Sequence, residues 1–199
     1  IISVDDSGSM NYRLDQENAS GATDNTTPNG TDGKSWLNTS RRINVLKHAL
    51  NQVFSDNTLV PNGKLRLSWQ AMWNNGKSPG VGASKKSGDT TSNAGANSVD
   101  SASNGVNSMR VLDDAHRTNF KSFVSSLKAV NGTPSHWMFS QADAYLRRGL
   151  STDGPWASTP GTAANNTYLG CRRNYHIMMT DGRWNSNASG GNKDGATSL

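Results

Sequence analysis

The stretch that most constrains this chain is its first ten residues, IISVDDSGSM. Ile1, Ile2, Ser3 and Val4 are mostly β-branched or apolar, which predicts the end of a buried parallel strand. That strand runs straight into Asp5, Ser7 and Ser9 at two-residue spacing, with Gly8 between the serines. Three short oxygen-bearing side chains on one tight turn make half of a hard-cation site. Hydroxyls are weak ligands alone, so such a turn needs a further carboxylate from elsewhere in the chain. The plainer alternative is a turn with a helix cap, a common use of these residue types. The rest of the sequence has to decide.

With 199 residues, the chain is long enough for one sizeable core, and a single domain is expected. Only 33% of residues are hydrophobic, and Gly, Ser, Asn and Thr are abundant, which predicts a core carrying long polar loops. The net charge is +5, but the basic residues come in scattered pairs such as Arg41/Arg42 and Arg172/Arg173. That pattern reads as a mildly basic solvated surface and argues against nucleic-acid binding. The single cysteine, Cys171, forms no disulfide within the chain; it is a buried thiol or pairs outside the segment. No apolar run approaches membrane-spanning length, and the start inside a strand without Met leads to the expectation of a piece of a longer protein.

Residues 11–38 and 74–108 are polar, non-periodic and read as two insertions. Between them, Thr39 or Ser40 is positioned to cap a helix whose apolar stripe is Ile43, Leu46, Leu50, Val53 and Phe54. Pro61-Asn62-Gly63 turns the chain into a strand in which Leu65, Leu67, Trp69, Ala71 and Trp73 alternate with polar residues and Met72. A short strand at 109–112 precedes a helix capped by Asp113 or Asp114, with Phe120, Phe123, Val124, Leu127 and Val130 on its inner face. The helix stops at Asn131-Gly132, and Thr133-Pro134-Ser135 opens another, with Met138, Ala142 and Tyr145 inward and Gly149 as its C-cap. Residues 175–180, YHIMMT, predict a central buried strand ending at Asp181-Gly182. Strands alternating with helices predict an α/β fold: an open, mostly parallel, doubly wound sheet flanked by helices. Such sheets bind ligands beyond the carboxyl ends of their strands, where Asp5-x-Ser7-x-Ser9, Thr133 and Asp181 converge.

Asp5-x-Ser7-x-Ser9, Gly132-Thr133-Pro134 and Thr180-Asp181-Gly182 resemble, in order and context, the metal-ion-dependent adhesion site of von Willebrand factor A domains. The resemblance covers essentially the whole of 1–199, with the two insertions outside its shared core. The segment CRRNYHIMMTDGRWN and the RTNF stretch at 117–120 more narrowly resemble the A domain of PilY-type proteins, adhesins of bacterial type IV pilus tips. The resemblance implies that Ser7 and Ser9 ligate a divalent cation directly. Thr133 would join them in the ligand-competent state, and Asp5 and Asp181 would act mainly through bound water. Mg²⁺ is the expected ion, with Mn²⁺ or Ca²⁺ as alternatives, since an oxygen shell that retains water suits it. Neutral hydroxyls leave the ion electrophilic, so a carboxylate from a protein partner or host surface would complete the shell.

A binding role at the bacterial surface, reached by export through the periplasm, is therefore expected rather than catalysis. One alternative is a structural or force-responsive pilus assembly module whose ion only stabilises the rim of the sheet. Another is a metal-dependent hydrolase. His136 lies near Thr133, but there is no G-x-S-x-G elbow to expose a nucleophilic serine and no evident general base. His48, His116 and His176 have no metal-ligand spacing. The six tryptophans read first as core and loop packing, with Trp137 and Trp184, which follow site motifs, as candidates for the rim of the site.

Overall fold

A computed structural model describes residues 1–12, 41–72, 107–129, 133, 135–147, 155–158 and 172–181. The opening strand, β1 (Ile2–Val4), is fully buried. It lies between two parallel neighbours, β3 (Trp69–Ala71) and β5 (Ile177–Met179). Ile2 stands opposite Trp69 and Ile177, and Val4 opposite Ala71 and Met179. Parallel neighbours need long crossovers. Helix α1 (Arg42–Ser55) lies between β1 and β3 in sequence, and helices α2 (Asp114–Ser126) and α3 (Ser135–Leu146) lie between β3 and β5. The expected α/β architecture with a parallel sheet is present.

The single strand predicted over 65–73 is two strands in the structure. Its first half, β2 (Arg66–Leu67), pairs antiparallel with β4 (Arg110–Val111), whereas β3 joins the parallel sheet. Ser68 marks the change of partner: its carbonyl accepts from the Ile2 N–H, and its hydroxyl donates to the Asn107 carbonyl. The predicted in-out alternation is absent, because Leu67 through Met72 are all buried. Asn107 and Ser108, at the end of the second predicted insertion, are buried too. The remainder of that insertion, Trp73, and residues 13–38 of the first lie outside the described residues.

Trp69 is the hub of the core. Its ring centroid lies 4.8 Å from His116, 5.3 Å from Phe120 and 5.9 Å from Phe123, and Phe120 meets Phe54 of α1 at 4.5 Å. These tilted and edge-on arrangements suit the aromatic quadrupole. Asp113 caps α2 as predicted, accepting the His116 N–H at 2.7 Å. The inner faces of α2 and α3 also follow the sequence, with Phe120, Phe123, Val124, Met138, Ala142 and Tyr145 all buried. Val130, Asn131, Gly132 and Gly149 lie outside the described residues, as do Thr39 and Ser40. Helix α1 begins after Arg41, which provides no side-chain cap; the Arg42 N–H instead donates to the Tyr12 carbonyl at 3.0 Å. Val53, expected on the buried stripe, is 41% exposed.

Gly63 has φ +78°, the left-handed conformation that the predicted Pro61-Asn62-Gly63 turn requires, and its N–H donates to the Leu112 carbonyl. Strand β5 departs from expectation. Ile177 is 51% exposed and Met178 and Met179 are half-buried, because β1 is its sole strand neighbour among the described residues. No helix among the described residues is long and apolar enough to cross a membrane.

One buried charge gives a stability test. The Lys47 ammonium donates to the Leu127 carbonyl at 2.9 Å, and burial, with a smaller push from Lys128, lowers its pKa from 10.5 to about 8. Because the folded pKa lies below the unfolded one, the unfolded chain binds more protons between these values, and stability contributed by this group rises with pH there. Urea unfolding midpoints are therefore expected to gain more between pH 7.5 and 10 in the native chain than in Lys47→Met. Equal pH dependence in the two would overturn this.

Candidate metal centre

The carboxyl ends of β1 and β5 are adjacent because the two strands are parallel and in register, with the Asp5 N–H donating to the Met179 carbonyl at 2.8 Å. Each strand is followed at once by the residues singled out in the sequence. Beyond β1, Ser7 opens a 3-10 turn over Gly8–Asn11, held by the Met10 N–H on the Ser7 carbonyl. That turn folds the hydroxyls of Ser7 and Ser9 back over the strand end.

Asp5 is fully buried. One carboxylate oxygen accepts the Ser7 N–H at 2.9 Å and the other accepts the Thr180 hydroxyl at 2.8 Å. It therefore fastens its own turn to the end of β5. Ser9 donates to Asp181 Oδ1 at 2.9 Å, and the Ser7 and Ser9 hydroxyl oxygens are 3.1 Å apart. A hydroxyl has one proton, and that of Ser9 is committed to Asp181, so Ser7 is the donor to Ser9. The result is a directed chain, Ser7 to Ser9 to Asp181. The second oxygen of Asp181 accepts from the Arg42 guanidinium at 2.8 Å.

Four of the five predicted ligands are thus gathered: Asp5, Ser7, Ser9 and Asp181. The fifth, Thr133, is buried just ahead of α3, the helix that packs against β1. Its flanking residues Gly132 and Pro134, the side chains of His136 and Trp137, and Gly182, Trp184 and Cys171 lie outside the described residues.

The donor set fits a hard divalent ion. Every donor is oxygen, two of them carboxylates. An octahedral ion with bonds of about 2.1 Å sets neighbouring ligands about 3.0 Å apart. The Ser7–Ser9 separation of 3.1 Å matches that spacing. Ser7 and Ser9 would hold the ion, and the buried Asp5 would orient Ser7 through its backbone. Such an ion supplies an electrophilic position that an anionic oxygen of a partner can fill.

Sequence reasoning missed two features. The sequence places Arg42 on the solvated surface, yet it contacts Asp181, and its neighbour Arg41 is 8% exposed and donates to the Asn11 side chain. The signal was present: Arg42 opens a helix, where a cation sits against the positive end of the helix dipole and needs an anion nearby. The second feature is a polar strip through the sheet. Gln70 donates to the Ser3 hydroxyl and to the Met138 carbonyl of α3, and Ser3 meets the His176 Nε2 at 2.6 Å. It links β1, β3 and the residue just ahead of β5 to α3, which Thr133 precedes.

Comparison with known proteins points one way. Over 130 residues, 65% of the chain, it is 32% identical to the type IV pilus biogenesis factor PilY1 of Pseudomonas aeruginosa strain PAO1. The similarity is to PilY1. The PilY1 of strain PAK is 39% identical over 89 residues, 44% of the chain, and that of strain UCBPP-PA14 is 36% identical over 89 residues. The chain spans only 7–10% of the length of these PilY1 relatives. No protein-family model matches the chain, and no solved structure matches it. The PilY-type likeness read from the sequence agrees with these relatives.

Proposed function

We propose that this chain is a divalent-cation-dependent binding domain of a PilY-type pilus biogenesis factor, with the architecture of a von Willebrand factor A domain. Mg²⁺ held by Ser7, Ser9 and, in the ligand-competent state, Thr133, backed by Asp5 and Asp181, receives an acidic group from a protein partner or host surface. The observation that carries this reading is the Ser7–Ser9–Asp181 chain, which joins residues 172 positions apart at the ends of two parallel strands. The PilY1 likeness supports a role in type IV pili, with pilus components as partners and the pilus tip outside the cell as the location.

Binding is favoured over catalysis. The described serine bonded to a histidine, Ser3, is wholly buried within the sheet rather than at its rim, so it is unavailable as a nucleophile. Titration calorimetry with Mg²⁺, Mn²⁺ and Ca²⁺ tests the reading. Binding at one site is expected in the native chain and is expected to vanish in Asp181→Ala; no binding in the native chain overturns it. A purely structural ion is the second reading, favoured by the way Asp5 and Ser9 tie β1 to β5. It predicts that chelation lowers the melting temperature while binding to pilus components is unchanged.

A further inference from the structure

We propose that Arg42 is a built-in competitor for the cation: its guanidinium holds Asp181 while no divalent ion is bound and weakens the site's affinity for one. This inference rests on the cation-site reading above. The Arg42 Nη1 lies 2.8 Å from Asp181 Oδ2, and the Asp181 side chain is only 9% exposed, so the pair is poorly screened by solvent. The other oxygen of Asp181 is engaged by Ser9, which leaves both carboxylate oxygens with partners. Arg42 is also fixed in place. Its N–H donates to the Tyr12 carbonyl, and its guanidinium stands 5.7 Å from the Tyr12 ring centroid, on the segment that continues from the Ser7–Ser9 turn.

Nothing in α1 itself favours a cation at its first residue, because the helix N-terminus is already the positive pole. Asp181 is what makes the position favourable. A divalent ion among Ser7, Ser9 and Asp181 would therefore arrive beside a guanidinium and a helix N-terminus, both repelling it. Without the ion, the same guanidinium offsets the charge of Asp181 at a rim that also holds the buried Asp5. The arrangement gives the empty site its own stabilising cation and sets a threshold of ion concentration for loading.

The test compares the native chain with Arg42→Gln and Arg42→Lys, by calorimetry with Mn²⁺ and by thermal melting in EDTA. Arg42→Gln is expected to bind Mn²⁺ about tenfold more tightly, the size of effect that one partly screened charge exerts at such range. It is also expected to melt below the native chain in EDTA, with the gap narrowing at saturating Mn²⁺. Arg42→Lys, which keeps the charge, should retain near-native affinity. Arg42→Met, a neutral side chain of similar reach, serves as the neutral variant should Arg42→Gln fail to fold. Equal or weaker binding in a folded neutral variant overturns the competition and leaves the cation site standing. Absence of binding in native and neutral chains alike overturns both.

Discussion

Asp5→Ala is expected to abolish divalent-cation binding and to lower the melting temperature by several degrees, while far-ultraviolet circular dichroism still reports the helices. The carboxylate is wholly buried and serves two donors, the Ser7 N–H and the Thr180 hydroxyl. Alanine strands the buried Ser7 N–H, whereas Thr180 is exposed and its hydroxyl can bond water. Each buried group left without a partner costs about 1–3 kcal/mol, and about 1 kcal/mol shifts the melting temperature of a domain of this size by about 2–4 °C. The loss of binding follows from geometry as much as charge: without Asp5 the Ser7 backbone is no longer fixed, and the hydroxyl pair loses its aim. Native-like affinity for Mg²⁺ or Mn²⁺ in the mutant would remove Asp5 from the site. Survival of the helices is expected because the core aromatic cluster lies elsewhere, on β3, α1 and α2.

That cluster sets the second large effect. Trp69→Ala is expected to cost about 3–5 kcal/mol, the range for emptying a large aromatic site in a core. Trp69 is wholly buried and touches His116, Phe120 and Phe123, all from α2, so little can collapse into the space without moving that helix. The loss is a large part of the 5–15 kcal/mol that holds a typical domain folded. Urea midpoints measure it. Val53→Ala, on the 41% exposed side of α1, is the control and should shift the midpoint little. A Trp69→Ala midpoint close to the control's would show that the cluster is not the core.

Much of this was legible in the sequence, for identifiable reasons. The β1 end, the Asp113 cap and the inner faces of α2 and α3 were readable because local pattern and tertiary role agree there. The 65–73 segment misled because its alternation is real while its partners change at Ser68, a fact that only the pairing with β1 and β4 reveals. Strand β5 has a central strand's composition but, among the described residues, a single strand neighbour. The juxtaposition of Asp5, Ser7, Ser9 and Asp181 was legible because strand ends in parallel sheets converge. Arg42 was hidden because an ion pair spanning 139 residues leaves no periodic trace.

The 172-residue separation between Ser9 and Asp181 has a consequence for measurement as well as for binding. One half of the site is the first turn of the chain, and the other follows the last described strand. Their juxtaposition exists only when the intervening helices and β3 have put β1 and β5 side by side. A cation that binds both halves therefore ignores unfolded and half-folded chains, and its binding energy adds to the stability of the complete fold alone. On the proposed cation site, the stoichiometry of a metal titration would be a census of finished molecules: a preparation binding half an equivalent would contain half its chains correctly assembled.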